Sequence, residues 1–97
     1  MTKLVAYPAI LDDSENEKGV YTITFPDIPS AITFGNNLTE ALQRAKEVLG
    51  LMLYDEKTLP KPSDIETIRR DNPGKIVNLV ETDLDLAKKE VKKLVVN

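Results

Sequence analysis

Two prolines bracket an Asp-Ile pair directly after an alternating run: Val20 to Phe25 leads into Pro26, Asp27, Ile28, Pro29 and Ser30. Proline fixes φ and has no amide to give to a ladder, so a strand that reaches Phe25 must stop there. The chain turns a rigid corner before Ala31 to Phe34 can rejoin a sheet, and Gly35 closes that short strand. On the run before the corner, Tyr21, Ile23 and Phe25 share one face and Thr22 and Thr24 the other, which predicts a half-buried strand over Val20–Phe25.

The elements on either side follow from this frame. Leu4 to Leu11 reads as a strand rich in β-formers, with Pro8 placing its missing amide at an edge or a bulge. Asp12 to Gly19 is a polar hairpin loop ending on a glycine that can take positive φ. The three strands predict an antiparallel meander. After Gly35 the rhythm changes: Leu38, Ala41, Leu42, Ala45, Val48, Leu49 and Met52 recur at i, i+3, i+4, predicting a helix over Leu38–Tyr54. Asn37 is placed as its N-cap and Glu40 three residues on as the reciprocal partner of a capping box. Leu51 and Leu53 fall off that stripe and suit a second layer or a second subunit. Asp55 to Gly74 is a connector with Pro60, Pro62 and Pro73, extended at Pro60–Ser63 and with a short helical turn at Ser63–Arg69. Ile76 to Val80 predicts a fourth strand, and Asp83 caps a last helix over Leu84–Lys93. For Lys93–Asn97 an extra strand, a dimer contact, the opening of a further module and simple fraying all stay open. The sum is an α+β fold: an antiparallel sheet of three to four strands with one main helix, in the order β-β-β-α-β, plus a short C-terminal helix.

Composition narrows what such a domain does. Ninety-seven residues at 41% apolar content make one domain with a modest core. There is neither cysteine nor histidine, which removes disulfides, thiolate chemistry and the commonest general base and metal ligand. No apolar run approaches the roughly 18 residues of a membrane span, so a cytoplasmic protein with no membrane partner is expected. With 13 Lys plus Arg against 16 Asp plus Glu, the chain disfavours phosphate backbones and suits a basic partner.

Several fragments together resemble the HicB family of antitoxins: Tyr7-Pro8-Ala9, the aromatic strand ending Phe25-Pro26-Asp27-Ile28-Pro29, and Thr33 and Gly35 before the helix cap. Glu40-Ala41, Gly50-Leu51, the extended Leu59, Pro60, Pro62, Ser63 segment and the closing Val80-Glu81 extend the likeness over about residues 4 to 86. Each fragment alone is weak; the ordered set is specific. Ser30-Ala31 stands where many members have Gly-Cys, and Asn36-Asn37 where an acidic residue and Thr are usual. The resemblance implies a partial RNase H-like fold and an antitoxin of a type II toxin–antitoxin system that binds and inhibits a small basic HicA-type mRNA endoribonuclease. It implies a toxin-binding domain over residues 1–86 and a tail over 87–97. Members commonly carry a C-terminal DNA-binding module, and Val91–Val96 is similar to the opening of its β-ribbon, so a chain lacking that module is expected.

Three classes of function compete. As a binding module, the chain would meet its toxin through acidic side chains near the corner and helix, with Asp27, Glu40 and Glu47 as the candidates, and would self-associate as a dimer or tetramer because one helix cannot cover the sheet. As a metal-dependent nuclease it would need Asp12, Asp13, Asp27, Asp55, Asp83 and Asp85 to converge. Their positions in a loop, a corner and a helix cap argue against that, so no catalytic residue, metal or cofactor is expected. As an operator binder it would rely on Lys88, Lys89, Lys92 and Lys93 with Arg69 and Arg70. Those residues are interleaved with acids and lack stacking aromatics, so no specific DNA binding by this chain alone is expected.

Overall fold

The computed structural model describes residues 3–95. Seven elements follow in order: β1 (Leu4–Asp12), β2 (Tyr21–Thr24), β3 (Ile32–Gly35), α1 (Leu38–Leu53), α2 (Ile65–Asp71), β4 (Ile76–Asp83) and α3 (Leu84–Val95). The α+β reading with a four-stranded antiparallel sheet holds, in the spatial order β3-β2-β1-β4. β1 pairs with β4 along nearly its whole length, from Leu4 opposite Asp83 to Leu11 opposite Ile76, but meets β2 only over Ile10–Asp12.

That asymmetry explains Pro8. β1 is an interior strand and not the edge or bulge that its proline suggests. At position 8, however, the β2 side is open, because the chain beyond Thr24 has already turned into the corner. The sheet therefore loses no ladder bond to the missing amide on that side.

The corner consists of two consecutive turns. Ile28 N donates to Phe25 O and Ala31 N to Ile28 O, which puts Pro26 and then Pro29 at the second position of each turn, where a fixed φ is favourable. Between them Ile28 is driven into the core, and Ala31 is fully buried.

The core lies between one sheet face and α1: Tyr7, Ala9 and Leu11 from β1, Ile23 and Phe25, Val80, and Ala41, Ala45, Leu49 and Leu53 from the helix. The alanines at i, i+4 let α1 approach the strands closely, and Leu53 continues that row. Leu53 is therefore a core residue and not off the stripe, while Leu51 is half exposed. Gly35 sets the closest approach, since a Cβ built there would stand 2.4 Å from the Ala41 backbone nitrogen.

The other sheet face is partly covered. Val77 lies three residues from the core-facing Val80 and so points the opposite way, where it is buried with Ile68 of α2. The connector thus supplies a second layer at this end, a role its charge-rich sequence does not advertise. β4 runs three residues past Val80, and Asp83 both ends it and caps α3, accepting from Asp85 N at 2.9 Å and Leu86 N at 3.2 Å. α3 is helical through Val95, which overturns the extra-strand and ribbon readings of the backbone at 93–95; residues 96 and 97 lie outside the described residues.

Candidate functional site

Three surfaces can act. The first is the corner and the strap that docks on it. Tyr7 is 1% exposed, and its hydroxyl donates to the Pro60 carbonyl at 2.6 Å. Three residues on, Ser63 gives its backbone N–H to Asp27 Oδ2 at 2.8 Å and its hydroxyl to Asp27 Oδ1. The extended Pro60–Ser63 segment is thus pinned at both ends, and Leu59 packs on the core beside it. Burial pushes the Tyr7 phenol above its ordinary value, and the nearby Asp27 charge pushes it in the same direction. Asp27 accepts a backbone hydrogen bond as its corner position suggests, but from a residue 36 positions away and not from the corner itself.

The second surface is the outer ridge of α1. Asn37 caps the helix, its side-chain oxygen accepting from Glu40 N at 2.8 Å. Glu40 does not return the bond to Asn37; it reaches one residue further, to the backbone and side-chain nitrogens of Asn36, each at 3.3 Å. Arg44 stands 3.8 Å from the same carboxylate. Glu47 follows on this face at i+7, about 10 Å along the axis from Glu40 by the helical rise, and it is exposed. Glu40 and Glu47 therefore form one ridge. Asp27 is not joined to them by any hydrogen bond or ion pair among the described residues.

Beside that ridge runs an open groove of about 460 Å³ between α1 and α3, with Glu47 and Leu51 on one wall and Leu86, Glu90 and Val91 on the other. The helices meet at its base because position 50 has no side chain, where a Cβ would come within 2.8 Å of the Ala87 Cβ. The groove escapes sequence reasoning, since nothing in the periodicity of either helix says that they touch.

The carboxylates that a nuclease would need are dispersed in separate roles. Asp12 accepts from Ser14 N at 2.9 Å and pairs with Lys75 at 3.3 Å; the Ser14 backbone and side-chain bonds first, and Lys75 after them, hold its carboxyl below the usual range. Asp13 accepts from Gly19 N, Asp27 from Ser63 and Asp83 from the α3 start. Among the described residues, no three His, Cys, Asp or Glu side chains gather closely enough to hold a metal ion. Nor is any described helix long and apolar enough to cross a membrane.

With this geometry in place, the chain can be set beside known proteins. Residues 7–97 match the family described as HicB_like antitoxin of bacterial toxin-antitoxin system. Antitoxin HicB 1 of Photorhabdus laumondii is 32% identical over 82 residues, covering 80% of this chain and 52% of that protein. An uncharacterized 14.9 kDa protein from the rep-hol intergenic region of Haemophilus phage HP1 is 36% identical over 70 residues, covering 66% of this chain and 53% of that one. The chain thus spans about half the length of the curated relatives it matches. Among solved structures, a chain of a toxin–antitoxin complex from Streptococcus pneumoniae superposes with a TM-score of 0.67 at 24% identity, covering 98% of this chain and 91% of that one. The Burkholderia pseudomallei antitoxin HicB gives 0.69 at 22% identity, with 82% and 63% covered. At these identities the superpositions speak for the fold.

Proposed function

The chain belongs to the HicB-like antitoxin family of bacterial toxin–antitoxin systems, and from that premise we propose that it binds a HicA-type mRNA endoribonuclease and inhibits it by steric occlusion, without catalysis of its own, in the cytoplasm. The observation that carries the reading is the α1 ridge, which offers Glu40 and exposed Glu47 two turns apart beside an apolar groove. A cationic RNA-binding surface would find charge on the ridge and a recess for an apolar side chain next to it. Electrostatics here speeds encounter more than it deepens affinity. Asp27 has a different part. Both its oxygens are engaged by Ser63, so it builds the corner that presents the toxin-facing surface, and direct contact falls to Glu40 and Glu47.

The test is a titration of the chain into an RNA-cleavage assay of the basic toxin encoded beside it, with association followed by surface binding at several salt concentrations. Stoichiometric loss of cleavage is expected. Replacing Glu40 and Glu47 together by Lys should slow association and flatten its salt dependence. Cleavage that continues at excess wild-type chain overturns the function, and unchanged association of the double variant removes the ridge from it.

A further inference from the structure

The groove between α1 and α3 is apolar in its walls and holds one polar atom at its floor. Leu51 and Leu86, each 50% exposed, stand on opposite walls, and Gly50 and Ala87 close the base between them. Into that base Thr82 brings the one hydroxyl among the lining side chains. Strand alternation from the core-facing Val80 turns Thr82 toward α1, where its Oγ1 would lie 3.4 Å from a Cβ at position 50. The residue is 4% exposed, and its hydroxyl makes no hydrogen bond with another described side chain or backbone group; the cap bonds of this turn belong to Asp83. Among the described residues no polar side-chain atom is both sealed from the surface and unpartnered, so the Thr82 hydroxyl opens into the groove. Covering such a hydroxyl without bonding to it costs free energy, and a group that bonds to it avoids that cost.

The mouth of the groove is charged. Glu47 on the α1 side and Glu90 on the α3 side are exposed and enter no ion pair among the described residues, while Asp83 has one oxygen engaged in the α3 cap. Lys46 is the one basic residue of the lining, so the mouth favours a cation. We propose that this groove is the anchor site for a tyrosine side chain of the toxin, flanked on the toxin by Lys or Arg. The ring lies between Leu51 and Leu86, the phenol meets the Thr82 hydroxyl, and the flanking cations meet Glu47 and Glu90. The inference rests on the antitoxin reading for the identity of the partner and deepens it by naming what the groove takes.

The chemistry of the floor selects the side chain. Leucine or phenylalanine would cover the Thr82 hydroxyl and leave it unpaired. Lys or Arg inserted alone would strip its charge of water against an apolar floor. A phenol both donates and accepts, as the threonine hydroxyl does, so either group can supply the proton. Tyrosine and arginine are also the residues that dominate binding hot spots, in pockets from which water is excluded. A recess of about 460 Å³ is of the size that holds small ligands, and it takes one ring together with the aliphatic stem of a flanking basic side chain.

The probe is tyramine, which carries the ring, the phenol and a cation in one small molecule, titrated into the isotopically labelled chain while amide chemical shifts are followed. Saturable shifts centred on the amides of Gly50, Leu51, Thr82, Leu86 and Ala87 are expected in the millimolar range, as suits a fragment of few atoms. Phenethylamine, which lacks only the phenolic hydroxyl, should bind about three- to tenfold more weakly, the loss of one neutral hydrogen bond. Thr82→Val keeps the shape of the side chain. It should bring tyramine down to the affinity of phenethylamine and leave phenethylamine binding no weaker, which also shows that the variant is folded. Added toxin should displace tyramine, and Thr82→Val should speed dissociation of the toxin complex by a similar factor. Absent groove shifts, equal binding of the two amines to the wild type, or a toxin that leaves tyramine in place or dissociates equally from Thr82→Val overturns the proposal. A chain that stops RNA cleavage without these effects keeps the antitoxin reading and loses the groove; a chain that shows the amine pattern without stopping cleavage loses the antitoxin reading and, with it, the toxin as occupant.

Discussion

Replacing Gly35 by Ala tests the packing argument at its tightest point. The backbone at Gly35 lies outside the left-handed region, so an alanine there meets no conformational penalty of that kind. Its cost must come from space. The added Cβ would sit 2.4 Å from Ala41 N and 2.5 Å from Ala41 Cα, and these backbone atoms cannot swing aside as the end of a flexible side chain can. The first turn of α1 would have to lift from β3, straining the Ala41 N to Asn37 O bond of 2.9 Å that opens the helix. Overpacking costs about 1–3 kcal/mol, and a backbone collision belongs at the upper end, so we expect about 2–3 kcal/mol. At roughly 4–8 °C per kcal/mol for a domain of this size, the melting temperature should fall by about 8–24 °C. Thermal melts followed by circular dichroism read this directly. Ala41→Gly supplies the control: it deletes only the third contact, the Ala41 Cβ at 3.0 Å, and should not rescue Gly35→Ala. A variant melting with the wild type, or full rescue by Ala41→Gly, would refute the reasoning.

The remaining predictions read other parts of the same frame. Asn37→Ala removes the 2.8 Å cap to Glu40 N and should destabilise the fold by about 1 kcal/mol, a few degrees in a melt, while the chain stays folded. The Tyr7 phenol is raised above its ordinary value, so the fold favours its protonated form: the associated stability is complete below pH about 10 and is lost as pH rises through the shifted value. Urea unfolding between neutral and strongly alkaline pH should therefore show a steeper loss in the wild type than in Tyr7→Phe, and parallel curves would count against the Tyr7 environment described. Finally, a gel shift with the upstream region of the chain's own operon near 150 mM salt should show no sequence-dependent retardation. Lys88, Lys89 and Lys92 alternate with Asp85 and Glu90 on α3 and offer at most phosphate contacts that salt screens away; specific retardation would show that α3 reads DNA.

What could be read from the sequence was local. The alternation at Tyr21–Phe25, the cap at Asn37 and the i, i+4 row of α1 follow from steric and hydrogen-bonding rules that act within a few residues, and they appear where expected. What escaped was set by distant contacts. Pro8 could not announce that β2 ends before reaching it, because that depends on a corner that begins at residue 26. Nothing near Asp27 names Ser63 as its partner, and nothing near Tyr7 names Pro60; both bonds exist because the connector folds back across the corner. Leu53 looked superfluous on an ideal stripe, but the alanine row at 41 and 45 tilts the buried face toward it. Of the site residues, Glu40 and Glu47 could be placed on one ridge from spacing alone, while the groove beside them could not, since it is made by α3 meeting Gly50.

The distribution of charge ties these features to one division of labour. The acidic side chains Glu40 and Glu47 occupy the outer ridge of α1, and the uncharged stretch Ile28–Thr39 holds the second turn of the corner and β3. Gly35 and the Asn37 cap join the two regions within three residues, so the height of α1 over β3 fixes where the ridge stands relative to the open edge. Charge on the ridge should accordingly be separable from the stability of the frame beneath it: Glu47 is exposed, so Glu47→Lys should slow association with a basic partner and leave the melting temperature close to that of the wild type, and a Glu47→Lys variant that melts far below the wild type would refute its place on the outer ridge.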